Sequence, residues 1–249
     1  MSEHRTRPAL LAIPIVCALV LAFALVSGCG SSTDTATDTT SDAGSAAQEQ
    51  TTDGSDDATD DTATDDAAVD TTLIATPLDN GYGEGIHHAT ITVKDYGTIT
   101  VELDADVAPI TVSNFAQLAN DGFYDGLTFH RVIEGFMIQG GDPNGDGSGG
   151  SDRPIIGEFE SNGTDNTIKH ERGTISMARA SDPNSASSQF FIMQEDASYL
   201  DGEYAAFGRV TEGMDVVDAI VDDVARYGDS NGVLASDKQP VIESVTMVD

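Results

Sequence analysis

Residues 128–142, Thr-Phe-His-Arg-Val-Ile-Glu-Gly-Phe-Met-Ile-Gln-Gly-Gly-Asp, set one cation, Arg131, among Phe129, Val132, Ile133, Phe136, Met137 and Ile138. The β-branched and aromatic residues from Thr128 to Ile133 predict a strand, Glu134-Gly135 a turn, and Phe136 to Gln139 a second strand stopped by Gly140-Gly141-Asp142-Pro143. This stretch reads as a hairpin. Alternation puts Phe129, Arg131 and Ile133 on one face, and Phe136 and Ile138 on the face opposite Met137 and Gln139. Arg131, Met137 and Gln139 are then able to share a surface. A rim arginine snorkelling over a sheet edge fits the stretch equally well.

The rest of the folded part is punctuated in the same way. Around Lys94-Asp95-Tyr96-Gly97, residues from His87 to Val93 and from Thr98 to Leu103 alternate at period two, a second hairpin. Val112, Phe115, Leu118 and Ala119 recur at three and four, with Pro109 suited to a first turn and Gly122 to an end, so 108–120 is an amphipathic helix. Residues 173–178, 188–193, 206–210 and 241–248 read as strands, and Val216, Val217, Ile220 and Val221 mark a helix over 212–224. Many short strands with two helices predict a mainly β fold, a closed antiparallel barrel, because closure removes exposed strand edges. Helices belonging to the same core would plug its ends.

The chain carries 43 Asp+Glu against 11 Lys+Arg, a net charge of −32. That excess argues against nucleic acid, whose phosphates need basic patches. At the N-terminus, His4, Arg5 and Arg7 precede an apolar run from Ala9 to Val26 that closes on Val26-Ser27-Gly28-Cys29, the layout of an export signal. An uncleaved anchor is the alternative for a run of this length. Val-Ser-Gly-Cys resembles the lipobox of bacterial lipoproteins, which implies a signal peptide over 1–28, lipidation of Cys29 and an extracytoplasmic domain anchored to the bacterial cell membrane. Cys17 is discarded with the signal, leaving no cysteine in the mature fold for a disulfide, a thiolate metal site or a nucleophile. Residues 31–72 hold twelve acidic residues, no basic ones and no aromatic ones. Such a segment cannot offset its ordering entropy and reads as a solvated tether over 29–85, spanning on the order of 5–6 Å times the square root of its length. The folded part is placed at 86–249.

Asp142-Pro-Asn144-Gly-Asp146-Gly147 matches the first half of a calcium loop. The second half fails, because Arg153 stands where a bidentate glutamate belongs, so a Gly/Asp turn is expected and no metal or cofactor is implied. His87, His88, His130 and His170 lack the spacing of a ligand pair or an evident triad partner. His130, beside Arg131, is expected to face inwards as a satisfied core histidine.

Taken in order, Phe129-His130-Arg131-Val132-Ile133, Phe136-Met137-Ile138-Gln139-Gly140-Gly141-Asp142, Gly173-Thr174-Ile175-Ser176-Met177-Ala178, Ser188-Gln189-Phe190-Phe191-Ile192, Leu200-Asp201-Gly202 and Phe207-Gly208-Arg209-Val210 resemble the cyclophilins. That resemblance runs from about Ile86 to Asp249. It implies peptidyl-prolyl cis-trans isomerase activity on a closed eight-stranded antiparallel barrel capped by two α-helices. It also implies Arg131 as the catalytic cation and Phe136, Met137, Phe191 and Leu200 as the proline pocket. Gln139, Ala178, Ala180 and Gln189 match positions that hold the substrate backbone, and Gly147 matches a glycine at the groove's edge. Three positions depart from the common pattern: Arg179 for asparagine, Tyr199 for tryptophan and Tyr204 for histidine. Arg179 and Tyr204 are expected to alter peptide preference. Tyr199 lowers the expectation of tight cyclosporin binding, since it replaces an indole N–H donor.

The expected partners are proline-containing segments of unfolded exported proteins, served by a monomer. A binding module or holdase using the same groove with little or no turnover is the second reading, and a surface adhesion or cell-wall protein with the barrel as mere scaffold is the third.

Overall fold

The computed structural model describes residues 72–249. The expected signal peptide, Cys17, the expected lipidation position Cys29 and the acidic stretch through residue 71 lie outside the described residues.

Strands β1 (Ile86–Val93) and β2 (Gly97–Asp104) form the first hairpin, turning through Asp95 at φ 66° and Gly97 at φ 131°. Ala89, Ile91 and Val93 of β1 and Ile99, Val101 and Leu103 of β2 are buried, the inward half of a period-two pattern. Helix α1 (Pro109–Asn120) follows, then β3 (Phe129–Ile133), β4 (Met137–Gly140), β5 (Thr174–Met177), β6 (Phe190–Met193), β7 (Ala206–Glu212), helix α2 (Met214–Val224) and β8 (Ile242–Met247). The eight strands make one sheet in the order β3-β4-β6-β5-β7-β2-β1-β8, with every neighbouring pair antiparallel.

The apolar spacing of α1 aims Phe115 into the core. Its ring lies 5.2 Å from Tyr124, 5.3 Å from Phe207 and 5.6 Å from Phe190, centroid to centroid. Helix α2 buries Val216, Val217, Ile220 and Val221 as its pattern predicts, and packs on β2 and β3. In β7, Gly208 lets the backbone approach β2, since a Cβ there would run into the Glu102 carbonyl oxygen.

Two expectations need correction. The sheet curls into an open half-barrel, not the closed barrel that the strand count suggests: β8 pairs with β1, and among the described residues its link towards β3 is an isolated bridge, Thr128 with Val241, beside two bonds of Ile242. Gly126 N–H donates to Ile242 O and Ile242 N–H to Leu127 O, both at 2.8 Å. Irregular chain satisfies the edge of β3 in place of a strand. The Val132 N–H donates to the Gly232 carbonyl at 2.9 Å, Leu234 N–H to His130 O at 2.8 Å, and Phe129 N–H to Pro240 O at 2.9 Å. An edge whose polar groups are already paired needs no closing strand. The packed chain also begins before Ile86. Ile74 is 5% exposed within the main core, with its N–H on Pro154 O at 2.8 Å.

Candidate active site

Pairing register builds the site. Arg131 of β3 lies opposite Gln139 of β4, Gln139 opposite Phe191 of β6, and Phe191 opposite Ser176 of β5, a transverse row on one face. Ile133, Met137 and Met193 form the next row on that face. The intervening residues, Val132, Ile138, Ile192 and Ile175, belong to the main core on the other face. Period-two alternation thus separates a core side from a site side.

On the site side a second apolar cluster gathers Met137, Phe191, Met193, Ala197 and Leu200, with Ile133, Phe136, Ala178 and Tyr204 partly buried against it. The structure brings together the expected pocket residues Phe136, Met137, Phe191 and Leu200. Tyr199 is 63% exposed at the rim and stacks on Phe136 with centroids 6.0 Å apart. Two details of the expected alternation change. A register shift between Phe129 and Arg131 turns Phe129 away from Arg131 into the main core, and Phe136, a turn residue ahead of β4, packs with Met137 rather than opposite it.

Arg131 stands beside this floor, half-buried. Its Nε donates to Asn231 O at 2.7 Å and its Nη1 to Gln139 Oε1 at 3.2 Å. From there a chain of amides runs along one wall: Gln139 Nε2 donates to Gln189 Oε1 at 2.8 Å, and Gln189 Nε2 donates to the carbonyls of Gly147 at 3.1 Å and Gly149 at 2.7 Å. Ala178 N–H donates to Gln189 O, and Ala180 N–H, at the exposed end, donates to Ser185 Oγ. The Asp142 carboxylate accepts N–H bonds from Asn144, Asp146 and Gly147, which shapes the glycine loop carrying the Gly147 carbonyl.

Arg179 does not present a free guanidinium to the groove. Its Nε and Nη2 both donate to Glu203 O, at 3.0 and 2.9 Å, its Nη1 to Ala180 O at 3.0 Å, and its Cζ sits 4.7 Å over the Tyr204 ring. Tyr204 in turn meets Phe191 edge-on at 6.0 Å. Burial raises the Tyr204 hydroxyl above its ordinary pKa, and Arg179 opposes the shift.

His130 is buried, as expected, but it is not satisfied: among the described residues neither ring nitrogen finds a hydrogen-bond partner. The Gly147 turn closes over its Nε2. Burial lowers its pKa, with Asp142 opposing and Arg131 reinforcing, so no second cation forms beside Arg131 near neutral pH.

Residue spacing gave no sign of His170, Asp201 and Ser176 as a group. The buried His170 ring stacks on Phe191 at 6.0 Å, with Nδ1 3.2 Å from Asp201 Oδ1 and Nε2 3.1 Å from Ser176 Oγ. Ser176 is fully buried beneath the floor, so the group supports Phe191 and offers no nucleophile to solvent. Its members lie 31 and 6 residues from His170, spacings that belong to no motif. Asn231, whose carbonyl holds Arg131, lies 100 residues away and carries no signal at all.

A family model described as cyclophilin type peptidyl-prolyl cis-trans isomerase/CLD matches residues 88–247. Peptidyl-prolyl cis-trans isomerase B of Bacillus subtilis is 48% identical over 123 residues, 49% of this chain and 82% of that protein. A peptidyl-prolyl cis-trans isomerase of Helicobacter pylori is 47% identical over 135 residues, 53% of this chain and 80% of its own length. Among solved structures, a Cryptosporidium parvum cyclophilin type peptidyl-prolyl cis-trans isomerase superposes with a TM-score of 0.58 at 30% identity, covering 66% of this chain and 99% of its own. Its crystal structure in the presence of the dipeptide Ala-Pro gives a TM-score of 0.57 at 31% identity, with 65% and 99% covered.

Proposed function

The chain belongs to the cyclophilin-type peptidyl-prolyl cis-trans isomerases, and we propose that it turns X-Pro bonds in exported, folding proteins, with Arg131 as its catalytic cation. Rotation about a peptide bond faces a barrier of about 18–20 kcal/mol, while the two X-Pro isomers differ by only about 0.5–1 kcal/mol. As the bond twists, the prolyl nitrogen pyramidalises and gains a lone pair. A guanidinium aimed at that nitrogen stabilises the twisted state more than the planar one, and that difference is the catalysis. Arginine suits the task because it stays charged and presents a rigid fork of donors.

The observation that carries this reading is the row in which Arg131 and Gln139 stand directly beside the apolar floor of Met137, Phe191 and Leu200. The floor takes the proline ring and keeps out water that would weaken the cation's pull. The wall of Gln139, Gln189, Ala178 and Ala180 holds the peptide backbone, with Gly147 at the edge. The Ala-Pro dipeptide recorded with the Cryptosporidium neighbour is the minimal ligand of this kind. Location adds the rationale. Uncatalysed isomerisation takes roughly 10–100 s, and a domain tethered through a lipidated Cys29 meets chains emerging from export before they fold. Mass spectrometry of the mature N-terminus is expected to find acylated Cys29; an intact Met1 sinks the anchor.

NMR exchange on a short Ala-Pro peptide tests the catalytic assignment. The unmodified protein accelerates exchange, and folded Arg131→Ala loses most of that acceleration, on the order of 10²-fold, while still binding peptide. Binding without acceleration by the unmodified protein makes the groove a proline-segment binding module instead.

A further inference from the structure

The chain reaches β1 by way of residues 72–82, which cross the outside of the groove's wall. Ile74 inserts there as a one-residue parallel bridge with Ile155: its N–H donates to Pro154 O at 2.8 Å, and Ile156 N–H donates to Ile74 O at 3.0 Å. Ile155 is fully buried and pairs on its other side with Ala186, donating its N–H to the Ala186 carbonyl at 2.8 Å. Ala186 belongs to the segment that carries Ser185, whose Oγ accepts the Ala180 N–H, and Gln189, whose carbonyl accepts the Ala178 N–H. The strap is fastened twice more. Arg153 Nε donates to Thr72 O at 3.1 Å, and on α1 Leu78 N–H donates to Ser113 Oγ at 3.0 Å while Asn80 Nδ2 donates to Ser113 O at 2.9 Å.

We propose that this strap is a positioning element of the peptide-binding wall, with Ile74 its positioning residue. Resting on the groove reading above, it joins the bridged segments behind Gln189 and Ala180 to residues 72–82. The 182–189 segment has no regular strand until Phe190, and among the described residues its outer side is bridged by Ile155. Ile155 in turn has Ile74 on its far side. The Ile74 side chain is buried in the main core, so removing it keeps the main-chain bonds but takes away the packing that seats the strap behind the Gln189 amide and the Ala180 backbone, without touching Arg131.

The consequence is a split between binding and turnover. In the full chain, Ile74→Ala raises KM for the Ala-Pro peptide roughly fivefold with kcat within about twofold, the signature of lost uniform binding. Ile74→Val keeps the branched side chain and restores KM, and Leu73→Ala, at an exposed neighbour, leaves both constants alone. Coupling is reciprocal, so saturating the unmodified protein with peptide slows hydrogen exchange at the Ile74 and Ile156 amides by a comparable factor. That second measurement decides the matter if Ile74→Ala does not fold.

A folded Ile74→Ala protein with a lowered melting temperature and unchanged KM reduces Ile74 to a packing residue and overturns the proposal. A fall in kcat alone, or amide exchange at Ile74 and Ile156 indifferent to peptide, does the same. If the unmodified protein binds Ala-Pro without turning it over, the catalytic reading fails by itself, and the same variants decide the strap through the peptide Kd.

Discussion

The Gln139 amide is held one way round. Its oxygen accepts from Arg131 and its nitrogen donates to Gln189, so a single donor direction runs from the cation to the carbonyls of Gly147 and Gly149. A carboxylate in that place reverses both ends. Gln139→Glu pairs directly with Arg131, drains the positive field offered to the prolyl nitrogen, and sets an acceptor against the Gln189 oxygen. We expect kcat/KM to fall by about one to two orders of magnitude with the fold intact, measured by peptide exchange beside circular dichroism. Activity equal to the unmodified protein would mean that Arg131 does not act through its charge. At this scale much of the site is legible in the sequence, because period two alone puts Arg131, Met137 and Gln139 on one face. The shift that sends Phe129 into the core is not, since within β3 itself no glycine or proline marks it. The Asn231 carbonyl that fixes Arg131 is invisible for a different reason: backbone oxygens have no residue type to search for.

Helix α1 illustrates what elements conceal. Its span and buried face follow from Pro109 and the three-and-four spacing of Val112, Phe115 and Ala119, but Ala108 at its N-cap gives no side-chain hydrogen bond. The cap comes from Glu158, a residue between β4 and β5 that belongs to no strand or helix. Its Oε1 accepts from Ile110 N–H at 2.9 Å and its Oε2 from Thr111 N–H at 2.7 Å and the Thr111 hydroxyl at 2.6 Å, all in buried surroundings. A carboxylate at a helix N-terminus meets both the unpaired donors and the positive end of the dipole. Glu158→Ala leaves those donors buried without partners, so urea unfolding should show a loss of about 2–3 kcal/mol. A loss below about 0.5 kcal/mol would show that water replaces the cap at no cost. Strands and helices were legible because each carries its own period, whereas a capping contact 47 residues away depends on how the elements dock.

At the scale of the molecule, the sequence supports an eight-stranded antiparallel sheet with two helices but not its closure, because whether β8 meets β3 depends on the irregular segment 232–241, which has no period to read. The same packing buries two histidines, His130 as its strand position predicts and His170 with no signal in its spacing, and they give the fold a dependence on pH. Burial lowers the pKa of both His130 and His170 from the ordinary 6.5, with Asp142 partly opposing at His130 and Asp201 at His170. Well above pH 6.5 both histidines are neutral in the folded and unfolded chains, and their contribution to stability is fully present. As pH falls, the unfolded chain takes up protons first, and stability is lost until the folded-state pKa values are passed. Each histidine contributes a slope of at most about 1.4 kcal/mol per pH unit, so the pair gives at most about 2.7. Glu158 works in the opposite sense, since burial raises its carboxyl above the ordinary 4.5 despite the Thr111 and Ile110 hydrogen bonds, and the folded chain then protonates before the unfolded one. That compensation starts only as pH approaches the carboxylate range, which leaves the histidine slope exposed just below neutrality. Urea unfolding in steps from about pH 7.5 to about pH 5.5 should therefore show falling stability that begins near 6.5. His170→Asn should flatten the slope by up to half, whatever it does to stability at neutral pH. A profile that is level or rises over that interval would mean that the two rings meet water or a proton acceptor in solution and are not buried as neutral groups.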